Sequence, residues 1–368
     1  MKVFFTLASL GSGGSERVVS LLANSMSERG HEVEIICLKY IDSYYQVNKE
    51  VKVAFLSDEV SSKGNDEGCM PYRHVIASRS TVIGKMCWLR RYCMQNMPDV
   101  VIAFTEGVYC ATIVALLGTG IKVIASERND PRYMSIKRNI VKSLILPYSD
   151  WLVVQTEAIR KQFKGKIAEK ISVIVNPVRE EVWHGESDYK VKRIITVARL
   201  FPQKRLELAI RAFSIIARKY PDWSYVIYGD GPEKQALSDL ISEFGLNGQV
   251  CLAGKTSQIV DELRRSSIFF MSSDYEGMSN SMVEAVCVGL PVVSTKVSGT
   301  DELVDEGKNG YVVEMGDVNG LANALDRLMG DSDRIEQFAK ESREKSNLFR
   351  ISRITDEWER LINHCVNK

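Results

Sequence analysis

The sequence predicts an α/β protein made of two consecutive doubly wound domains, each a parallel sheet covered by helices. Three observations carry this expectation. Short apolar runs alternate with amphipathic stretches along the chain, the rhythm of strands and crossover helices. The rhythm stops around residues 176–189 and then restarts. The 368 residues are enough for two domains of ordinary size.

Taken in order, buried strands are expected at 3–8, 33–38, 100–104, 123–125, 151–154 and 173–175, because each is a brief, nearly continuous apolar run. Amphipathic helices are expected at 16–29 and 108–117, and another carries Cys87 and Cys93. The polar, glycine-containing segment 57–72 reads as a mobile loop. Past Pro177, strands are expected at 193–197, 225–228, 250–252, 268–271, 292–294 and 311–313. Helices are expected between them at 206–219, 233–244, 257–265 and 281–288, and after them at 321–329. A last helix, 351–363, places Ile351, Ile354, Trp358, Leu361 and Ile362 on one apolar stripe. The expected division is 1–178, 179–350 and a terminal helical segment 351–368. No solenoid repeat or low-complexity tract interrupts it.

Composition narrows the function classes. Apolar residues make up 45% and charged residues 26%, the balance of a globular protein with an ample core. A formal net charge of +1 gives no overall pull toward nucleic acid, and none is expected as a partner. The total hides an asymmetry: residues 1–178 carry a net +6 and the remainder a net −5, so the two halves suit different electrostatic partners. The eight cysteines show neither CxxC pairs nor zinc spacing, which predicts buried free thiols in a reducing compartment and no metal. His31, His74, His184 and His364 show no ligand spacing either, and surface or capping roles are expected. The opening MKVFFTLASLGSGG has only one Lys before a short apolar run and reads as a first buried strand. No segment approaches the ~18 uninterrupted apolar residues of a membrane span, and a cytoplasmic protein is expected.

Three segments carry chemistry. Gly11-Ser12-Gly13-Gly14 follows the first strand and opens a helix, where glycines let backbone N–H groups approach a phosphate. It lacks the Lys-Ser/Thr of a P-loop, and Glu16 stands where a dinucleotide fingerprint has its third Gly, so a simple tight turn explains it equally well. In VARLFPQKR, Arg199 ends a strand and Lys204 opens the next helix; two cations at the carboxyl end of an open sheet suit a diphosphate. A solvated loop is the simpler reading of that segment alone. In SSDYEGMSNSMVEAVCVGLPVV, Glu276 lies in a turn and Glu284 about two turns into the following helix. Gly277, Met278, Ser279 and Asn280 line up backbone N–H groups at the helix start. The apolar neighbours of Glu284 argue against a merely solvated carboxylate. Asp331-Ser332-Asp333 follows a helix and reads as a cap, not as a metal-binding DxD.

At these residues the chain resembles the retaining glycosyltransferases of family 4, which have the GT-B fold. The two glutamates followed by GLPVV resemble the family's acidic signature, and Arg199 with Lys204 resemble its Arg-x4-Lys pair. The GSGG turn, VIVNPV and YGDGPE match as well, so the resemblance runs from Gly11 to Val293. It implies two Rossmann-like domains facing a central cleft, with the first binding acceptor, the second binding nucleotide sugar, and the last helix packing back on the first. It implies that Arg199 and Lys204 neutralise the leaving diphosphate, assisted by the amides of Gly277, Met278, Ser279 and Asn280. Glu276 is then a ligand of the transferred sugar and Glu284 of the ribose. Gly13 and Gly14 close on the donor, and the base lies near Gly254, Lys255 and Thr256. Transfer with retention, without metal or other cofactor, is implied too, with UDP as the commonest donor nucleotide.

One departure concerns the acceptor side. Many relatives carry a His after the fifth strand of the first domain, where this chain reads Ser126-Glu127-Arg128-Asn129-Asp130. Arg128 cannot serve as a base at neutral pH, which leaves it to orient acceptor or phosphate and leaves Glu127 or Asp130 for proton transfer. Residues 71–170 carry 16 Lys/Arg against 7 Asp/Glu, concentrated at 85–92 and 132–146 beside aliphatic side chains. That mixture suits an anionic bilayer and a polyprenyl-diphosphate-linked glycan acceptor. A sugar-nucleotide epimerase of the same fold and a non-catalytic nucleotide-sugar-binding module are the alternatives. A nicotinamide dehydrogenase is disfavoured by the missing third glycine.

Overall fold

Val3, Phe4, Phe5 and Leu7 are all buried, so the first strand must be covered on both faces, as the centre of a parallel α/β sheet requires. The computed structural model describes residues 1–41, 43–56, 72–75, 81–185 and 191–367. The described chain divides into two units, Met1–Pro177 with Ile351–Lys368, and Val178–Arg350. The loop expected at 57–72 lies, apart from Tyr72, outside the described residues.

Unit 1 begins with β1 (Lys2–Leu7), α1 (Gly14–Glu28), β2 (Glu32–Cys37), β3 (Lys52–Phe55) and β4 (Tyr72–Val75). It continues through α2 (Val82–Asn96), β5 (Val100–Phe104), α3 (Glu106–Leu116), β6 (Lys122–Ser126) and α4 (Ile136–Ile145). It then runs through β7 (Trp151–Val154), α5 (Glu157–Arg160) and β8 (Ile171–Val173). The eight strands pair in the order β4-β3-β2-β1-β5-β6-β7-β8, all parallel, and the order reverses between β1 and β5. Strands β3 and β4 were not evident in the sequence, because neither KVAF nor YRHV is an uninterrupted apolar run like those that mark the other strands. The strand expected at 173–175 forms two residues earlier, at β8.

Unit 2 runs β9 (Arg193–Val197), α6 (Leu206–Ile216), β10 (Ser224–Tyr228), α7 (Lys234–Glu243), β11 (Val250–Gly254) and α8 (Ile259–Arg264). There follow β12 (Ile268–Met271), α9 (Asn280–Cys287), β13 (Val292–Thr295), α10 (Thr300–Leu303), β14 (Gly310–Val313), α11 (Val318–Met329) and α12 (Ser332–Ser346). Its six parallel strands are ordered β11-β10-β9-β12-β13-β14, reversing between β9 and β12. Asp331 caps α12 by accepting from Arg334 N at 3.0 Å, the role expected for this triplet.

The chain's last helix, α13 (Ile351–Val366), packs into unit 1 beside α1. Trp358, 1% exposed, stacks on Phe104 at 6.2 Å. Arg29 bridges Asp356 and Glu359 at 2.6 and 2.8 Å, and His31 Nε2 meets Glu359 at 2.8 Å. His364 sets its ring edge-on to Trp151. The apolar stripe of α13 thereby completes one face of the unit 1 core. Cys37, Cys93, Cys110, Cys287 and Cys365 are buried free thiols, as expected, whereas Cys87 and Cys251 are exposed on α2 and the edge strand β11.

Candidate active site

In open parallel sheets, ligands gather at the carboxyl ends of the strands where the strand order reverses. In unit 2 that point lies between β9 and β12, and the loops leaving these two strands carry Arg199 with Lys204 and Glu276. Segments 67 residues or more apart in sequence are laced together there. Ser272 Oγ donates to the carbonyls of Lys204 and Arg205, each at 2.9 Å. Gln203 Nε2 donates to Tyr275 O at 2.7 Å, and Arg205 Nη1 bonds the Asp274 carboxylate at 3.0 Å. Within this frame Lys204 Nζ lies 2.5 Å from Glu276 Oε1, which also accepts from Ser273 Oγ at 2.8 Å. Glu276 is 8% exposed. Arg199 is exposed, with its guanidinium 5.3 Å from the Phe201 ring centre.

The glycines of YGDGPE set the position of the Arg199 loop. A Cβ on Gly229, whose φ is +144°, would fall 1.8 Å from Ala198 O, and one on Gly231 would fall 2.4 Å from Leu200 O. Only glycine permits backbone to meet backbone this closely. Ala198 N, Leu200 N and Glu233 N then close hydrogen bonds between the two turns.

Helix α9 starts at the cap residue Ser279, whose Oγ accepts from Met282 N. Gly277 and Met278 precede the cap, packed against Gly299, and Asn280 opens the helix. Glu284 follows within α9 and is 3% exposed, in keeping with its apolar neighbours. Arg179 Nη2 reaches its Oε1 at 3.1 Å. Arg179 was not singled out from the sequence, because nothing in the spacing of positions 179 and 284 connects them. At the end of β11, Gly254 adopts φ +75° and its carbonyl accepts from Gly229 N, while Thr256 Oγ1 accepts from Gln258 N. Lys255 is exposed, 3.8 Å from Asp230.

The remaining expected residues lie in unit 1. Gly13 caps α1, and the Glu16 carboxylate folds back onto it so closely that a Cβ there would fall 2.1 Å from Oε2. This helix start thus receives negative charge from its own third residue, beside Gly14. Glu127 is fully buried and accepts from Tyr109 OH at 2.8 Å, from Lys142 Nζ at 3.2 Å and from Arg128 N at 2.9 Å. Burial, with Glu127 second, pushes the Tyr109 phenol far up. Asp130 is held by Arg132 through three contacts of 2.6–3.1 Å. Arg128 lies against the Phe104 ring at 4.3 Å, and its Nη1 donates to Asn176 Oδ1 at 2.8 Å. Burial pushes its guanidinium down to about 9 despite neighbouring Glu127. Thr105, at the end of β5, holds φ +70°, an uncommon and strained angle for a β-branched residue. Lys142, which the sequence placed in the basic stretch 132–146, neutralises Glu127, and Tyr109, not singled out there, helps to fix it. Among the described residues no cluster of His, Cys, Asp and Glu is built to hold a metal ion.

Two family models match in tandem: Glycosyltransferase Family 4 over residues 12–182 and Glycosyl transferases group 1 over residues 178–345. An uncharacterized glycosyltransferase of Haemophilus influenzae is 25% identical over 98% of this chain and 99% of its own. A Campylobacter jejuni enzyme is 25% identical over 100% of this chain and 99% of its own; it is named as adding N-acetylgalactosamine in α-1,4 linkage to an undecaprenol-diphosphate-linked glycan. Anabaena HepE, solved in complex with UDP, superposes with a TM-score of 0.79 at 17% identity, covering 99% of this chain and all of its own. Matching models over both units, with the described sheets and the two reversal points, lead to one assignment: the chain belongs to the family 4 glycosyltransferases and has their GT-B fold.

Proposed function

We propose that this glycosyltransferase moves a sugar, with retention, from UDP to a glycan acceptor carried on polyprenyl diphosphate. The observation that carries the reading is the meeting of Lys204 and Glu276 at 2.5 Å at the strand-order reversal of unit 2, beside the exposed cation Arg199. Cleaving a sugar–phosphate bond builds negative charge on the leaving diphosphate, and fixed cations lower that barrier without reorganising. An entering diphosphate takes Lys204 as its partner, which releases a Glu276 oxygen to a hydroxyl of the transferred sugar. Backbone N–H groups from Gly277 to Asn280 add donors to the diphosphate. Glu284 accepts from the ribose hydroxyls, and the backbone around Gly254, Lys255 and Thr256 holds the base. Gly13 and Gly14 enter the donor set on the family resemblance alone. Arg199 and Lys204 supply the charge that a metal supplies in other transferases, so turnover is metal-independent in this reading.

The UDP-bound relative supports the nucleotide, and the Campylobacter enzyme supports a lipid-linked acceptor. Surface chemistry supports delivery at a cytoplasmic membrane face. On α4, Ile136, Ile140, Val141 and Leu144 are 50–79% exposed, with Tyr133 and Tyr148 exposed beside the helix ends. Lys142 does not contribute to that surface, because it is buried against Glu127. In the stretch 85–92 Leu89 is buried, and Trp88 and Tyr92 stack on each other against the core. No helix among the described residues is long and apolar enough to cross a membrane.

A panel of nucleotide sugars in thermal denaturation, followed by turnover on polyprenyl-diphosphate glycans and NMR of the new anomeric centre, tests the proposal. Selective stabilisation by UDP-sugars and an α-linked product from an α-linked donor, undiminished by EDTA, is expected. An epimerised donor formed without acceptor overturns the transferase mechanism.

A further inference from the structure

Arg128 is a buried cation whose two neighbouring carboxylates are each neutralised by another residue. Glu127 pairs with Lys142 and Asp130 with Arg132. No carboxylate of the described residues bonds the Arg128 guanidinium. Its Nη1 donates to the neutral amide of Asn176, and its flat face rests on Phe104. Nε and Nη2 are buried and, among the described residues, meet no hydrogen-bond acceptor. These two are adjacent donors along one edge of the fork, spaced to receive both oxygens of one carboxylate or two of a phosphate. Close by in the fold, Ser126 Oγ at the end of β6 and Gln155 Oε1 just past β7 are likewise buried without a partner. These residues belong to the carboxyl ends of β6, β7 and β8, the ligand-binding end of a parallel sheet.

An uncompensated buried charge is unfavourable, and such groups cluster at functional sites, where an arriving anion neutralises the charge. We propose that the free Nε–Nη2 edge of Arg128 binds one anionic group, a carboxylate or phosphate, of a ligand occupying unit 1, with Ser126 and Gln155 accepting from its hydroxyls. The site stands on this geometry; naming the ligand as the glycan acceptor rests on the function proposed above.

The test uses the full chain carrying Arg199→Ala and Lys204→Ala, which silences the other diphosphate-binding cations. Inorganic phosphate and glucuronate are titrated at constant ionic strength while Tm is followed. Either anion is expected to raise Tm in a saturable manner, and adding Arg128→Met is expected to abolish the rise. Arg128→Met is also expected to raise the anion-free Tm, because it replaces an unpaired buried charge by an apolar side chain of similar length. No anion-dependent shift, a shift that survives Arg128→Met, or a lowered anion-free Tm overturns the proposal; the last would make Arg128 a structural anchor. UDP affinity of Arg128→Met in the otherwise native chain separates the sources. An unchanged value assigns the anion to the acceptor, and a weakened one assigns it to the donor diphosphate. None of these readings requires sugar transfer, so the site can fail while the transferase mechanism stands, and the reverse.

Discussion

Arg179 Nη2 donates to Glu284 Oε1 at 3.1 Å and ties the segment that enters unit 2 to the buried carboxylate of α9. Arg179→Ala is expected to lower stability by about 1–3 kcal/mol, since it strips a nearly buried carboxylate of a charged partner that is itself partly solvated. In a Glu284→Gln background the same change is expected to cost much less. Denaturant titration of the four proteins reads the coupling, and equal costs in both backgrounds would dismiss the pair. UDP calorimetry on Glu284→Ala reads the ribose role, with a loss of about one decade or more expected if two hydroxyl bonds disappear.

Arg199 and Lys204 should separate in stability while agreeing in activity. Either alanine variant is expected to lose about one to two decades of turnover, the worth of a charge-assisted bond of about 1.5–3 kcal/mol. Arg199 is exposed, so its loss should leave Tm unchanged. Lys204→Ala leaves Glu276, at 8% exposure, without its cation and with the Ser273 hydroxyl as a neutral donor, and should cost about 1–3 kcal/mol of stability. Wild-type kinetics in both variants would remove them from the reaction.

Trp358 anchors α13 on unit 1 against Phe104. Trp358→Ala is expected to destabilise by about 3–5 kcal/mol, the usual result of emptying a large buried aromatic site. Hydrogen exchange should show the loss of protection in α1 and α13 together, because Arg29, His31 and Thr355 link them. A change below about 1 kcal/mol would mean that the helix is dispensable to this core.

Thiol chemistry should follow burial. Burial pushes Cys93 up to about 12 and Cys110 up to about 11, with nearby Glu34 and Glu106 adding to it, and raises Cys37 further. Alkylation of the native protein at neutral pH is expected at Cys87 and Cys251 and not at these three, as peptide mass mapping would reveal. The raised folded-state values imply stability that is complete below the ordinary thiol value near 9 and is lost as pH rises toward 12. Rapid labelling of Cys93 in the native state would contradict the packing.

The aliphatic face of α4, with exposed Lys137 and Arg138 on the same helix, predicts binding to anionic vesicles at low salt that weakens as salt rises. Sedimentation with phosphatidylglycerol against phosphatidylcholine vesicles measures it, with Ile140→Glu and Leu144→Glu as the expected loss variants. Equal partition to both vesicles, or variants that bind like wild type, would favour a soluble acceptor.

The sequence by itself determined the repeated α/β rhythm, because strand and helix periods are local properties of apolar spacing. It also singled out Arg199, Lys204, Glu276 and Glu284 as candidate site residues, since cations and carboxylates beside glycines at strand ends leave a local pattern. The short strands β3 and β4 escaped notice, being stabilised by neighbours across the sheet and not by their own composition. Only tertiary structure decided which charges meet. Lys204 pairs with Glu276 because β9 and β12 are neighbours in the sheet, and Arg179 finds Glu284 across 105 residues. The same holds for Lys142, which the sequence placed on a basic surface and the fold buries against Glu127, while Arg128 meets no carboxylate among the described residues. Burial and partner choice depend on distances between remote segments, and no local pattern of residues encodes those.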